Sequence, residues 1–358
     1  MIKHSPYISW AKAKHGVRWN LARSGVPRPD PDQWFKGEAA DILAGGEHEE
    51  GWGPLKERIA SRYGVEAGQV VPVHGTSMAN HLAVAALVEP DDHVLVESPS
   101  YEPLWILPAY FHAEVESFGR DPENDFQPDP GEIADHMTGR TRLVILSDLH
   151  NPSGMRVKPE LLQEIAQLCE ERGTHLLVDE VYLEFLYPQG VRTAASLSPA
   201  VITTRSLTKA YGLDDLRLGW MIASGETARR IRRLRDLYAI TTAFPSERLG
   251  WHALGAADEL LACTLALLEG NRKLVEDFVE GRPELSWTTP GAGSVGFVRL
   301  ASDRVEELAE LAEARYETIV APGHFFGRPD HFRIGWGMPA DELREGLRRL
   351  GQALEDLA

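Results

Sequence analysis

The sequence predicts an α/β protein: a large domain built on a mostly parallel sheet, with one antiparallel strand and helices on both faces, plus a smaller α+β domain. Three observations carry this. Short, often β-branched apolar runs alternate with amphipathic stretches through the first two-thirds of the chain, as in a sheet buried on both sides. Two of those runs, "AVITTRS" (200–206) and "LRLGWMIAS" (216–224), are joined by a link too short for a helical crossover, so they run antiparallel. Beyond about residue 280 the pattern changes to isolated strands set between helices. These features divide the chain into an N-terminal arm (1–35) that joins the small domain, a large domain (36–250) and a small C-terminal domain (251–358).

The arm, with "WNLARSGVPRPDPDQW", is rich in Pro, Trp and basic residues and reads as an extended segment followed by turns. "GPLKERIASRYGV" is an amphipathic helix ending at Gly64, with Leu55, Ile59 and Tyr63 on one face. The strands of the large domain are "VVPV" (70–73), "HVLVES" (93–98), "RLVILSD" (142–148), "HLLVDE" (175–180) and the two runs above. "SMANHLAVAALV", "PELLQEIAQLCEERG" and "GETARRIRRLRDLYAI" supply helices. One long helix, or two in succession, covers 246–280, interrupted by Gly250, Gly255 and Gly270. The C-terminal part interleaves the strands "SVGFVRL", "ETIVAPG" and "HFRIGWG" with the helices "RVEELAELAEARY" and "ADELREGLRRLGQALEDL".

Composition excludes several classes of function. A formal net charge of −17, from 54 acidic against 37 basic residues, repels polyanions and argues against nucleic acid as a partner. The basic run "ARRIRRLRD" is then a solvated helix face or a subunit contact. Cys169 and Cys263 stand alone, without CxxC spacing, so neither a disulfide framework nor a thiolate metal site is expected, and a reducing cytoplasm fits. His74 and His81 have no metal-binding spacing, and no metal is expected. The N-terminus lacks an apolar signal-like core, and no apolar run is long enough to span a membrane. "GAGSVG" (291–296) satisfies a dinucleotide-binding pattern literally, but "FVRL" follows where a helix would have to begin.

Ligand sites of open α/β sheets lie at the carboxyl ends of the strands. After "VVPV" come Gly75, Thr76 and Ser77 at a helix start, where free amides and hydroxyls suit a phosphate. After "HVLVES" comes Tyr101; after "RLVILSD", Asn151; after "HLLVD", the carboxylate Asp179 with Tyr182; after "AVITTRS", Ser206 and Lys209. Read singly, each has a plainer structural explanation, such as a turn cap for Asn151 or a surface charge for Arg217. Together they serve pyridoxal 5′-phosphate. That cofactor needs an amine for its aldehyde, a buried carboxylate for its ring nitrogen, hydrogen-bonding groups at its phenolic oxygen and a cationic cradle for its phosphate.

On these residues the sequence resembles the class I and II aminotransferases of the aspartate aminotransferase superfamily, pyridoxal-phosphate enzymes of fold type I. "NPSG" is similar to the family's Asn-Pro-x-Gly, "DEVY" to its Asp-x-x-Tyr, and "SLTKAYGLDDLRLGW" to its Ser-x-x-Lys followed by Gly-Leu-Arg-x-Gly. "FRIGWG", with Arg333, is similar to the segment whose arginine clamps a substrate α-carboxylate. The resemblance implies Lys209 as Schiff-base lysine and proton carrier, Asp179 at the ring nitrogen, Asn151 and Tyr182 at the phenolic oxygen, and Tyr101 on the ring face. It also implies Gly75, Thr76, Ser77, Ser206 and Arg217 around the phosphate, Arg333 and Gly25 at the substrate, and a homodimer with its site between subunits. The implied reaction moves an amino group between an amino acid and a 2-oxo acid; a lyase, decarboxylase or cyclising synthase on the same fold is the alternative. Two departures stand out: Glu47, His48 and Trp52 lie where the family commonly has a tyrosine reaching the partner's phosphate, and Asp214 and Asp215 stand where it often has small residues or proline.

Overall fold

The computed structural model describes residues 4–43 and 50–357. Its strands are β1 (Trp19–Asn20), β2 (Val70–Val73), β3 (His93–Ser98), β4 (Glu114–Gly119), β5 (Thr141–Ser147), β6 (His175–Asp179), β7 (Val201–Ser206), β8 (Gly219–Ile222), β9 (Leu285–Trp287), β10 (Val295–Leu300), β11 (Thr318–Ile319), β12 (Ala321–Pro322) and β13 (His331–Gly335). Seven form the central sheet, in the order β2-β8-β7-β6-β5-β3-β4. Within it β8 runs antiparallel to β2 and β7, and every other pairing is parallel.

Alternate side chains on each strand face opposite sides, and here both sides are dry. Val71, Val73, Val94, Val96, Leu143, Ile145, Leu177, Ile202 and Met221 bury against the helices Gly75–Leu87 and Gly225–Tyr238. Leu95, Val144, Leu146, Leu176, Val178 and Val201 bury against Pro130–His136 and Pro159–Glu171. This two-sided burial is why the strands read as continuous apolar runs. The helix Gly53–Tyr63 ends where Gly64 turns left-handed at φ 68°, with Leu55, Ile59 and Tyr63 in the core.

A second sheet, β12-β13-β10-β9, is antiparallel throughout. It is accompanied by the helices Val305–Tyr316 and Ala340–Leu357. "GAGSVG" is the bend that enters β10, so no helix start faces a pyrophosphate there. The long helical region is two helices, Phe244–Gly255 and Ala257–Glu280. The N-terminal segment differs from the extended arm expected. Ser5 caps a helix over Pro6–Ala13, and only after it does β1 pair in parallel with β11. Among the described residues no helix is long and apolar enough to cross a membrane.

The turn after β5 buries Asp148, whose carboxylate accepts the Val157 amide at 3.0 Å. Burial pushes this carboxyl from its ordinary 3.8 up to about 7. The unfolded chain therefore releases the proton first, and stability falls as pH rises from about 4 to about 7. Asp148→Asn keeps an oxygen for Val157 and is expected to flatten that decline. Melting temperatures of the two proteins should converge near pH 4 and separate, with the variant higher, near pH 7.

Candidate active site

The carboxyl ends of the parallel strands open into one cavity of about 320 Å³. Ten of the residues singled out from the sequence line it: Thr76, Ser77, Tyr101, Asn151, Asp179, Tyr182, Ser206, Lys209, Arg217 and Arg333. Gly75 and Gly25 sit just behind that lining. A Cβ on Gly75 would lie 2.7 Å from Arg217 Nη2, and one on Gly25 would lie 3.9 Å from Lys209 Cδ.

At one end the chain leaves β2 and turns through Gly75, at φ 78°, into a helix whose N-terminus has no side-chain cap. Its first amides are therefore available to a ligand, and the helix dipole favours an anion. Thr76 Oγ1 is buried with no partner among the described residues. Only glycine can both adopt this left-handed turn and let the Arg217 guanidinium lie over it. Arg217 itself is left-handed at φ 47° and anchors Nη1 on the Asp214 carbonyl at 3.1 Å.

Asp179 ends β6 at the centre of the cavity. Its Oδ1 accepts the Val181 amide at 3.1 Å, and its Oδ2 accepts Asn80 Nδ2 at 2.8 Å. The Asn80 oxygen is in turn fixed by the Thr204 hydroxyl at 2.8 Å. Burial pushes the Asp179 carboxyl up to about 6, while these bonds and the nearby Lys209 charge pull it down. Asn151 is placed by a buried relay: its amide donates to Ser147 Oγ at 3.1 Å, Ser147 donates to Glu97, and Glu97 pairs with the buried Arg120 at 2.6 Å. Burial raises the Tyr182 phenol.

Lys209 follows β7, and its Nζ donates to Ser24 Oγ at 2.9 Å. Burial lowers the pKa of this amine, and Arg333 adds to the effect against the opposing fields of Tyr7, Asp214 and Asp179. Arg333, on β13 and 1 % exposed, donates to Asn151 Oδ1 at 2.9 Å, Tyr7 OH at 2.6 Å and the Ala22 carbonyl at 2.9 Å. The acidic pair beyond Lys209 now has a partner, since Arg28 pairs with Asp215 and lies 3.9 Å from Asp214. The pair is exposed and worth little by itself. It sits where Gly212 lets its backbone close onto Pro27, whose carbonyl oxygen would be 2.2 Å from any Cβ there. Glu47 and His48 lie outside the described residues.

A profile of class I and II aminotransferases matches residues 48–350. The chain belongs to the class I and II aminotransferase family. Among curated members, capreomycidine synthase of Streptomyces vinaceus is 32% identical over 305 residues, covering 84% of this chain and 78% of that protein. Arginine–pyruvate transaminase of Pseudomonas aeruginosa is 27% identical, covering 98% of this chain and 94% of that one. The fold matches a PLP-dependent aminotransferase from Streptococcus suis with a TM-score of 0.91 at 24% identity, covering 100% of this chain and 99% of that one. It matches the crystal structure of a PLP-dependent cyclase with a TM-score of 0.88 at 25% identity, covering 100% and 98%. The seven-stranded sheet is thus that of fold type I. The segment carrying Tyr7, Ala22 and Ser24 lies ahead of the matched span, although all three border the cavity.

Sequence reasoning missed three of these groups. Asn80 carried a signal, as an amide inside the otherwise apolar "SMANHLAVAALV" three residues after Ser77. Ser24, beside the Gly25 already singled out, carried a weaker one. Tyr7 carried none.

Proposed function

We propose that the chain is a pyridoxal 5′-phosphate-dependent aminotransferase that moves an amino group between an amino acid and a 2-oxo acid. The observation behind this reading is the buried amine of Lys209, with its pKa lowered, in the same cavity as the buried carboxylate of Asp179. The residues present fit the cofactor. The unpartnered Thr76 hydroxyl, the uncapped helix N-terminus and Arg217 form an anion corner for its phosphate, with Ser77 and Ser206 beside them. Asp179 would hold the ring nitrogen, whose positive charge would favour the ionised carboxylate. Asn151 commits its oxygen to Arg333 and so turns its NH2 toward an acceptor, as the phenolic oxygen requires, with Tyr182 alongside. Tyr101 would cover the ring face.

When bound, the cofactor supplies an aldehyde for an amine and a ring that takes up the electron pair left at the substrate Cα. Arg333 binds the substrate carboxylate and so orients the Cα–H bond. Lys209 would take the Cα proton and return it, and burial, by lowering the pKa of its amine, favours the neutral form that can do so. Ser24 holds that amine in place between transfers. The exposed side chains of Leu43, Leu237, Tyr238 and Ile240 are consistent with a homodimer as the working form.

A second reading, a cyclising synthase or lyase, is favoured by the similarity to capreomycidine synthase and to the PLP-dependent cyclase. Both readings begin with removal of the Cα proton and diverge afterwards. The deciding experiment gives the cofactor-loaded protein a panel of amino acids without any oxo-acid acceptor. Transamination yields one equivalent of 2-oxo acid and leaves the amino group on the cofactor. Ammonia, carbon dioxide or a cyclised product, with the cofactor returned unchanged, would move the chain to the second reading. Arginine belongs in the panel, because one relative is named for it. In addition, Glu306, Glu310 and Glu313 border a neighbouring cavity of about 260 Å³ that shares Trp10, Lys14 and Ile319 with the first.

A further inference from the structure

Arg333 does not face the cavity alone. Each terminal nitrogen of a guanidinium carries two hydrogens. Nη2 spends its hydrogens on Tyr7 OH and the Ala22 carbonyl, while Nη1 spends one on Asn151. Nε is buried without a partner among the described residues. One Nη1 hydrogen remains for a ligand, and Nη2, which takes part in both two-donor edges of the guanidinium, has none left to add beside Nη1 or Nε. A two-point grip on a carboxylate therefore needs a second donor beside it.

Tyr7 is placed to be that donor. Its oxygen accepts from Arg333, so its own proton points elsewhere, and no acceptor for it is present among the described residues. The ring is 6 % exposed and fixed among aromatics, edge-on to Tyr101 at 5.9 Å and Phe325 at 5.7 Å and tilted against Phe326 at 5.4 Å. Its backbone is fixed as well. The Tyr7 amide donates at 3.0 Å to the buried Glu102 carboxylate, which also accepts the Ser5 hydroxyl. A hydroxyl so held costs little further ordering when a ligand arrives.

We propose that Tyr7 is a substrate-binding residue whose hydroxyl donates to one oxygen of the α-carboxylate while Arg333 Nη1 donates to the other. The assignment rests on reading Arg333 as the carboxylate site. It makes the N-terminal helix part of substrate recognition rather than only a cover over the cavity.

The test compares the unaltered cofactor-loaded protein with Tyr7→Phe, which keeps the ring and its packing, and with Arg333→Lys. Calorimetry measures the dissociation constants of propionate and L-arginine against their counterparts without a carboxylate, propylamine and agmatine. Loss of one hydrogen bond to a charged group should weaken both carboxylates by roughly tenfold or more in Tyr7→Phe and leave both amines unchanged. Where an amino acid turns over, its half-saturating concentration should rise more than its maximal rate falls. Unchanged or tighter carboxylate binding in Tyr7→Phe, or an equal loss for the amines, overturns the proposal. If Arg333→Lys also leaves carboxylate selectivity intact, or the unaltered protein binds neither carboxylate, the reading of Arg333 fails first and takes this proposal with it.

Discussion

Lys209→Ala is expected to abolish the lysine-linked absorbance of the bound cofactor and to slow turnover by roughly 10³-fold or more. On the proposed reading two roles would be lost at once, the covalent anchor and the base that takes the Cα proton. The amine's hydrogen-bond partner, the Ser24 hydroxyl at 2.9 Å, is far too weak a base to take over the proton. Stability should change little or rise, because a buried amine that burial pushes toward neutrality is a poor contributor to folding. Borohydride reduction followed by peptide mapping gives the decisive readout. If borohydride still fixes the cofactor to the variant, at some other lysine, and turnover keeps the unaltered rate, the assignment of the whole cavity is wrong.

The second large effect is expected at Asp179. Asp179→Ala removes the charge that would hold a proton on the ring nitrogen, and it leaves the Asn80 amide without its acceptor. The rate should fall by roughly 10² to 10³-fold, the scale for losing one preorganised electrostatic partner of the transition state. Cofactor affinity should fall with it. Asp179→Glu, which retains the charge but displaces it, should recover part of the affinity and less of the rate. A full rate in Asp179→Ala would mean that this carboxylate does not face the ring. The sign with pH also follows: burial lifts the carboxyl to about 6, so below that pH the protonated acid predominates in the folded protein. Cofactor affinity should therefore weaken on acidification through this range, and in Asp179→Ala that dependence should be lost.

What could be read from the sequence follows a physical line. The central strands are buried on both faces, so their apolar runs are intense and local, and even the antiparallel β8 could be deduced from a link too short to cross over. Edge and interrupted elements escaped. β4 pairs only with β3 and buries only one of its six residues, so "EVESFG" has no apolar signature. The helix Glu102–Tyr110 contains Pro108 and an unusually even apolar composition, which erased its periodicity. The helix Pro6–Ala13 was hidden inside a segment whose prolines and basic residues suggested an extended arm.

The same division runs through the cavity. In a parallel α/β sheet every strand delivers its carboxyl end to the same edge, so chain order alone groups Asp179, Asn151, Ser206 and Lys209. That much the sequence determined by itself, because strand periodicity and direction are local properties. Only the tertiary structure brought in Tyr7, which reaches Arg333 across 326 positions of sequence, and Ser24, which reaches Lys209 across 185. It also explained Asp214 and Asp215 through Arg28, on the same distant segment. Those contacts depend on how the N-terminal helix packs over the cavity mouth, with Glu102 holding its first turn and aromatic rings enclosing Tyr7. Packing of that kind is set by the shapes of surfaces far apart in the chain, and no run of neighbouring residues encodes it.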